Sequence, residues 1–276
     1  MVAALVRSEM PVAVTIAGSD SSGGAGIQAD IKTFSALGAY GASVITALTA
    51  QNSHGVTAVH DVPPDFVGCQ IDAVYSDLDV VATKIGMLSR RGVVEVVAAR
   101  LRHFGARAIV LDPVMISTSG HPLLAPDAAE ALTALFLPLV DLVTPNLDEA
   151  AALAGESAVA ADDAAMARQA EALLRRGAKA VLVKGGHGGG AESVDILLDA
   201  GGLTRFAAPR IATRNSHGTG CTLSAAIAAE LAKGAELRNA IAVAKTYLSG
   251  ALAAADRLHI GSGRGPVHHF YGMSTR

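Results

Sequence analysis

The chain has 276 residues, enough to bury a large core in one α/β domain, and its formal net charge is -3, with 22 Lys and Arg against 25 Asp and Glu. The basic residues are scattered, which excludes the electrostatic footprint of a nucleic-acid or anionic-membrane binder and points to a small-molecule partner. Every apolar run is broken well before the roughly 20 residues of a membrane span, and Cys69 and Cys221 lie too far apart in sequence for a zinc cluster or a disulfide framework. The opening MVAALVRSEMP is too charged for a secretory signal. It reads as a disordered leader over residues 1–10, ahead of a single cytoplasmic domain.

From residue 12 onward short β-rich runs alternate with helical patterns. VAVTIAG (12–18), ASVITALTA (42–50), VVATKIG (80–86), AIVLDPV (108–114), LVDLVTPN (139–146) and KAVLVKGG (179–186) predict strands. Between them, residues 25–38, 65–78, 91–105, 126–136 and 162–177 predict helices. The alternation implies βαβ units, hence a mostly parallel sheet with helices on both faces. After Gly185, SVDILLD and LTRFAAPRIAT follow each other as strands and predict an antiparallel edge, before two long helices close the chain. Ligands of such sheets bind beyond the C-terminal strand ends.

The first strand ends in GSDSSGGAGIQAD, which formally contains G-x-G-x-x-A. It is not a dinucleotide fingerprint, because the loop is too long and no acidic residue follows about 20 positions on. A P-loop is absent from the sequence. The glycines serve either a sharp turn or the approach of backbone amides to a ligand. HGTGCTLSAA carries more information: Gly218, Thr219 and Gly220 form a turn leading into a helix, and converging amides with the helix N-terminus make an anion site suited to phosphate. Cys221 at that start is expected to have a lowered pKa and could act as a base toward a substrate hydroxyl; the alternative is a small buried hydrophobe. Asp112 stands at one strand end, and Asn146 and Glu149 at another. Asp112 and Glu149 could hold magnesium through water, while Asn146 and Glu149 equally fit a capping box. Lys184 ends a further strand before a flexible glycine loop, where it could reach nucleotide phosphates or lie solvated.

Taken together, GSDSSGGAGIQADIKTFSALGAYGASVITALTAQNSHGV, KIGML, LDPVM, TPNLDEA, VLVKGGH and HGTGCTLSAAIA resemble the hydroxymethylpyrimidine and phosphomethylpyrimidine kinases of thiamine biosynthesis, within the ribokinase-like superfamily. The resemblance runs in order from about Val12 to the terminal GPVHHFY; Ala42 departs from it, standing where methionine is expected. It implies a three-layer α/β/α fold and ATP-dependent phosphorylation of 4-amino-5-hydroxymethyl-2-methylpyrimidine and of its monophosphate. It further implies a pyrimidine pocket of Gly18, Asp20, Ala25, Gln51, Met87 and Val114, with ATP contacts at Lys184, Asn146 and Thr213. Magnesium would lie at Glu149 and Asp112, and Gly218 to Cys221 would be the catalytic segment. A homodimer is expected on the same ground. Gln51 also has a physical argument, since its amide offers one acceptor and one donor to an aminopyrimidine edge. The rival within the fold is a pyridoxal kinase.

Overall fold

The computed structural model describes residues 9–116, 123–186 and 190–273. Most of the leader and part of the glycine loop after Lys184 (187–189) lie outside the described residues.

Ten strands and eight α-helices follow in chain order among the described residues: β1 (Val12–Ala17), α1 (Gly26–Ala36), β2 (Tyr40–Ile45), β3 (Ala47–Asn52), β4 (Gly55–Asp61), α2 (Pro64–Asp77), β5 (Val80–Ile85), α3 (Arg91–His103), β6 (Ile109–Leu111), α4 (Pro126–Phe136), β7 (Leu142–Val143), α5 (Leu147–Ala154), α6 (Asp163–Arg175), β8 (Ala180–Lys184), β9 (Glu192–Asp199), β10 (Gly202–Pro209), α7 (Thr219–Ala232) and α8 (Leu237–Ala253). Eight strands form one sheet in the order β10-β9-β8-β7-β6-β5-β1-β2. It is parallel from β2 through β8. β9 and β10 then add the antiparallel edge.

Pleating divides the core. Val14 and Ile16 of β1 face a layer that includes Val67, Val97, Leu132 and Leu173 from α2, α3, α4 and α6, while Ala13 faces α7 and α8 through Ile227 and Ile241. The small residues on that second face let α7 lie close to the sheet. This helix is apolar on most sides and buried from Thr222 to Glu230, as expected of a helix packed against the sheet between α1 and α8.

Residues 42–50, read from sequence as one strand, are two. The chain leaves the sheet at Thr46, whose hydroxyl donates to the Met87 carbonyl at 2.7 Å. β3 then pairs with β4 as a separate antiparallel hairpin, with a register shift between Ala50 and Gln51. A continuous β-prone run cannot reveal such an exit, because both halves have the same local preference. The hairpin turn is held by the segment after α8: Arg264 N–H donates to the Ser53 carbonyl at 2.8 Å and Gly263 N–H to the Ser53 hydroxyl at 3.1 Å. Gln51 is thereby placed over the end of β1. No helix among the described residues is long and apolar enough to cross a membrane.

Candidate active site

All the site residues expected from sequence line one cavity of about 1040 Å³ at the C-terminal ends of the parallel strands. β1 delivers Gly18 and Asp20, β6 delivers Asp112 and Val114, β7 leads to Asn146 and Glu149, and β8 ends at Lys184. The start of α7 closes the cavity from the side, and the β3–β4 hairpin brings Gln51 from above.

Two glycine-rich segments far apart in sequence fit into each other here. Gly218 has φ +80, and a Cβ on it would lie 1.9 Å from the Gly24 carbonyl oxygen; a Cβ on Gly24 would in turn lie 2.5 Å from the His217 ring. Only glycine permits this approach. It brings the GSDSSGG loop against the first turn of α7, whose initial N–H groups have no partner within the helix.

Beside that turn lies a charged cluster. Lys184 Nζ donates to Asp112 Oδ1 at 2.6 Å, and a Cβ on Gly220 would stand 3.3 Å from the same Nζ. Burial works against the Lys184 charge, but Asp112 and Glu149 outweigh it and hold its pKa above the ordinary value. Glu149 is pushed up to about 7 by burial; Lys184 pulls it down and Asp112 pushes it further up. Asn146 and Glu149 also make the capping box: Glu149 N–H donates to Asn146 Oδ1 and Asn146 N–H to Glu149 Oε2, each at 2.8 Å. The cap engages one Glu149 oxygen and leaves Oε1 outside it. Thr213, expected near ATP, turns its hydroxyl to Asp256 on the cavity rim.

One expectation changes. Cys221 does not have a lowered pKa: burial pushes its thiol up to about 11, Lys84 pulls down, and Asp30 and Asp112 add to the rise. The helix start was visible in sequence, whereas the burial and both carboxylates were not. Asp20, expected at the pyrimidine pocket, lines the cavity but is 1% exposed, and its oxygens are engaged by its own loop and by His217. Hydrogen bonds from His217 and Ser22 outweigh burial and hold it at about 2. These bonds also hold the loop after β1 in shape.

The sequence reading passed over three residues of this site. His217 links Asp20 to Gln51. Lys84, wholly buried on β5, pairs with Asp30 of α1 at 2.9 Å and is the cation nearest in effect to Cys221. A lysine inside an apolar strand was the available signal, because such a charge needs a buried partner. Lys245 of α8 pairs with Asp195 of β9 at 2.6 Å, and Asp195 also accepts from the Gly185 N–H, fixing the backbone just after Lys184.

Comparison with known proteins decides the family. The family model described as phosphomethylpyrimidine kinase matches residues 20–268. The chain belongs to the phosphomethylpyrimidine kinase family. A relative in Rhizobium meliloti (strain 1021), a hydroxymethylpyrimidine/phosphomethylpyrimidine kinase, is 64% identical over 260 residues, 94% of this chain and 97% of its own. Among solved structures, the phosphomethylpyrimidine kinase of Clostridium difficile 630 matches with TM-score 0.78 and 44% identity, covering 88% of this chain and 100% of its own. A Bacillus subtilis pyridoxal kinase, solved as an ADP complex, matches with TM-score 0.86 and 35% identity over 95% of this chain and 98% of its own. The fold is therefore ribokinase-like and the protein is a kinase, with ATP as the substrate its family implies.

Proposed function

We propose that one ribokinase-like domain transfers the γ-phosphoryl group of ATP to the hydroxymethyl group of 4-amino-5-hydroxymethyl-2-methylpyrimidine, and then to the resulting monophosphate, supplying the diphosphate for thiamine biosynthesis. The observation that carries this reading is the meeting of the α7 start, Lys184 and Asp112 around Gly220, in the cavity that also holds Gln51. Phosphoryl transfer is catalysed mostly by positioning and charge stabilisation. The amides of Gly220 and Cys221 and the Lys184 ammonium supply positive potential where phosphate charge develops. Cys221 is the group placed to take the hydroxyl proton, acting through its minor thiolate form, which the Lys84 charge favours.

Gly18, Ala25, Gln51, Met87 and Val114 form the pyrimidine end, where Met87 packs onto the open face of Gly18. Lys184, Asn146 and Thr213 form the ATP end. Magnesium fits Asp112 and Glu149: both are buried hard-oxygen donors, and a cation there would offset the burial and the Asp112 charge that lift Glu149 to about 7. Two carboxylates would leave the rest of its coordination to phosphate and water, as is usual for magnesium. When bound, the ion would neutralise phosphate charge. The kinase is expected to act in the cytoplasm as a homodimer, which sedimentation at working concentration tests.

The pyridoxal kinase neighbour keeps a second reading in view, phosphorylation of a pyridoxine-type hydroxymethyl group. Product analysis with hydroxymethylpyrimidine, pyridoxine, ATP and magnesium separates them. Sequential mono- and diphosphate from the pyrimidine supports the main reading; phosphorylation of pyridoxine alone overturns it.

A further inference from the structure

Gln51 is held more tightly than a pocket wall requires. Its backbone N–H donates to the Ser21 hydroxyl at 2.8 Å, and that hydroxyl donates to its carbonyl at 2.7 Å. Its side-chain nitrogen is placed 3.3 Å from His217 Nε2, and its oxygen 3.2 Å from Thr49 Oγ1, accepting from that hydroxyl. An amide oxygen and an amide nitrogen have the same shape, so the surrounding donors and acceptors decide which is which, and here they reverse that placement.

At the first contact the decision comes from Asp20. Its Oδ1 accepts from the Ser22 N–H at 2.9 Å and the Ser22 hydroxyl at 2.7 Å, and its Oδ2 from the Gly24 and Ala25 N–H groups at 3.1 and 2.8 Å. Four donors converging on one carboxyl group mark it as an ionised acceptor. His217 Nε2, 2.7 Å from Oδ2, must therefore carry its proton and donate. A protonated ring nitrogen has no lone pair for an amide N–H, so the Gln51 atom facing it is the oxygen, sharing the same proton. The second contact gives the same answer independently. Thr49 Oγ1 has one proton, and it goes to the Ser19 carbonyl at 2.9 Å, which can only accept. The Gln51 atom facing Thr49 must then be the donor, the nitrogen.

We propose that His217 and Thr49 are positioning residues that lock the Gln51 amide with its oxygen toward His217 and its nitrogen toward Thr49, and so make the kinase selective for a ring edge bearing an amino group beside an unprotonated ring nitrogen. This rests on the reading that Gln51 faces the pyrimidine. The remaining lone pair of the oxygen accepts from the substrate amino group, on the His217 side, and the remaining N–H donates to the ring nitrogen, on the Thr49 side. The 4-oxo counterpart presents the opposite polarity, a carbonyl oxygen beside a ring N–H. It would need the amide turned over, against both locks. A site with fixed buried polarity rejects such an analogue strongly.

The test compares kcat/KM for the 4-amino substrate and its 4-oxo counterpart in the wild type, Thr49→Val, His217→Leu and His217→Gln. The wild type should prefer the amino compound by on the order of 100-fold or more. Thr49→Val, which keeps volume, and His217→Leu should each reduce that ratio by about tenfold, mainly through the pyrimidine KM, with the KM for ATP unchanged. His217→Gln, whose amide N–H replaces Nε2–H, should restore it. A ratio unchanged in Thr49→Val and His217→Leu overturns the proposal, because a merely structural role lowers both substrates alike. If His217→Leu does not fold, Thr49→Val decides alone. A wild type inactive on the amino substrate overturns the functional reading itself, before any variant is made, and the proposal with it.

Discussion

Lys184 Nζ and Asp112 Oδ1 lie 2.6 Å apart, joining the end of β8 to the end of β6 beside the first turn of α7. With side chains 12% and 2% exposed, neither charge is well hydrated, and Glu149 shares the same lysine. The pair holds a cation where phosphate is expected and keeps two carboxylates near one another.

Lys184→Met should lower turnover on the order of 10²–10³, the usual loss when a charge-stabilising group is removed. Stability should fall by at most about 3–5 kcal/mol, eased because Glu149 can take up a proton once its counter-charge is gone. Steady-state kinetics and thermal unfolding measure the two effects. An active, equally stable methionine variant would place Lys184 outside the chemistry.

Asp20 predicts how the kinase behaves in acid. Its pKa is about 2 in the folded state against an ordinary value of 3.8, so the stability it contributes is present above 3.8 and is lost as pH falls toward 2. The contribution is about 2 kcal/mol at neutral pH. Asp20→Asn should lose that amount at pH 7 and show a flatter stability curve between pH 5 and 2, both of roughly known sign from linkage. Denaturant titrations at several pH values check this; parallel curves for the two proteins would contradict it.

For Cys221 the raised pKa sets the expectation. With the thiol at about 11, alkylation of the free protein by iodoacetamide should be slow at neutral pH and speed up as pH climbs. If the thiolate is the base, turnover should also rise above neutral pH, and Cys221→Ser should lose about 10²–10⁴ together with that rise. Cys221→Asp should retain more activity than the serine variant, because Lys84 stands near enough to support an anion there. A stable, fully active serine variant removes Cys221 from the mechanism.

Gly218→Ala tests the junction of the two loops. The left-handed backbone at φ +80, and the 1.9 Å that would separate an added Cβ from the Gly24 carbonyl oxygen, leave no room for a methyl group. The variant should lose at least about 2 kcal/mol and most of its turnover, since the first turn of α7 must move. Thermal unfolding and kinetics together report it, and a wild-type melting profile would show that the loops can part freely.

Much of this was legible because it depends on near neighbours in the chain. Apolar runs such as VAVTIA predict buried parallel strands, and TPNLDEA carries its capping box within four residues. HGTG before an Ala-rich run announces a helix start, and strand-end chemistry singles out Asp112 and Lys184. The hairpin was not legible. Residues 42–50 have one continuous β preference, and only the pairing of Ala47–Asn52 with Gly55–Asp61 shows that the strand leaves the sheet.

The amino-acid sequence by itself determined the alternation of strands and helices, the turn that begins α7 and the kinds of side chain at the strand ends, since propensity, periodicity and capping act over a few residues. The tertiary structure decided what those side chains are electrically and which way they point. Asp20 and His217 are 197 residues apart yet share a proton at 2.7 Å, and Lys84 finds Asp30 across 54 residues. Burial and Coulomb interaction act through space, so the thiol of Cys221 is pushed up by burial first and then tuned by Lys84, Asp30 and Asp112, none of which is its neighbour in the chain.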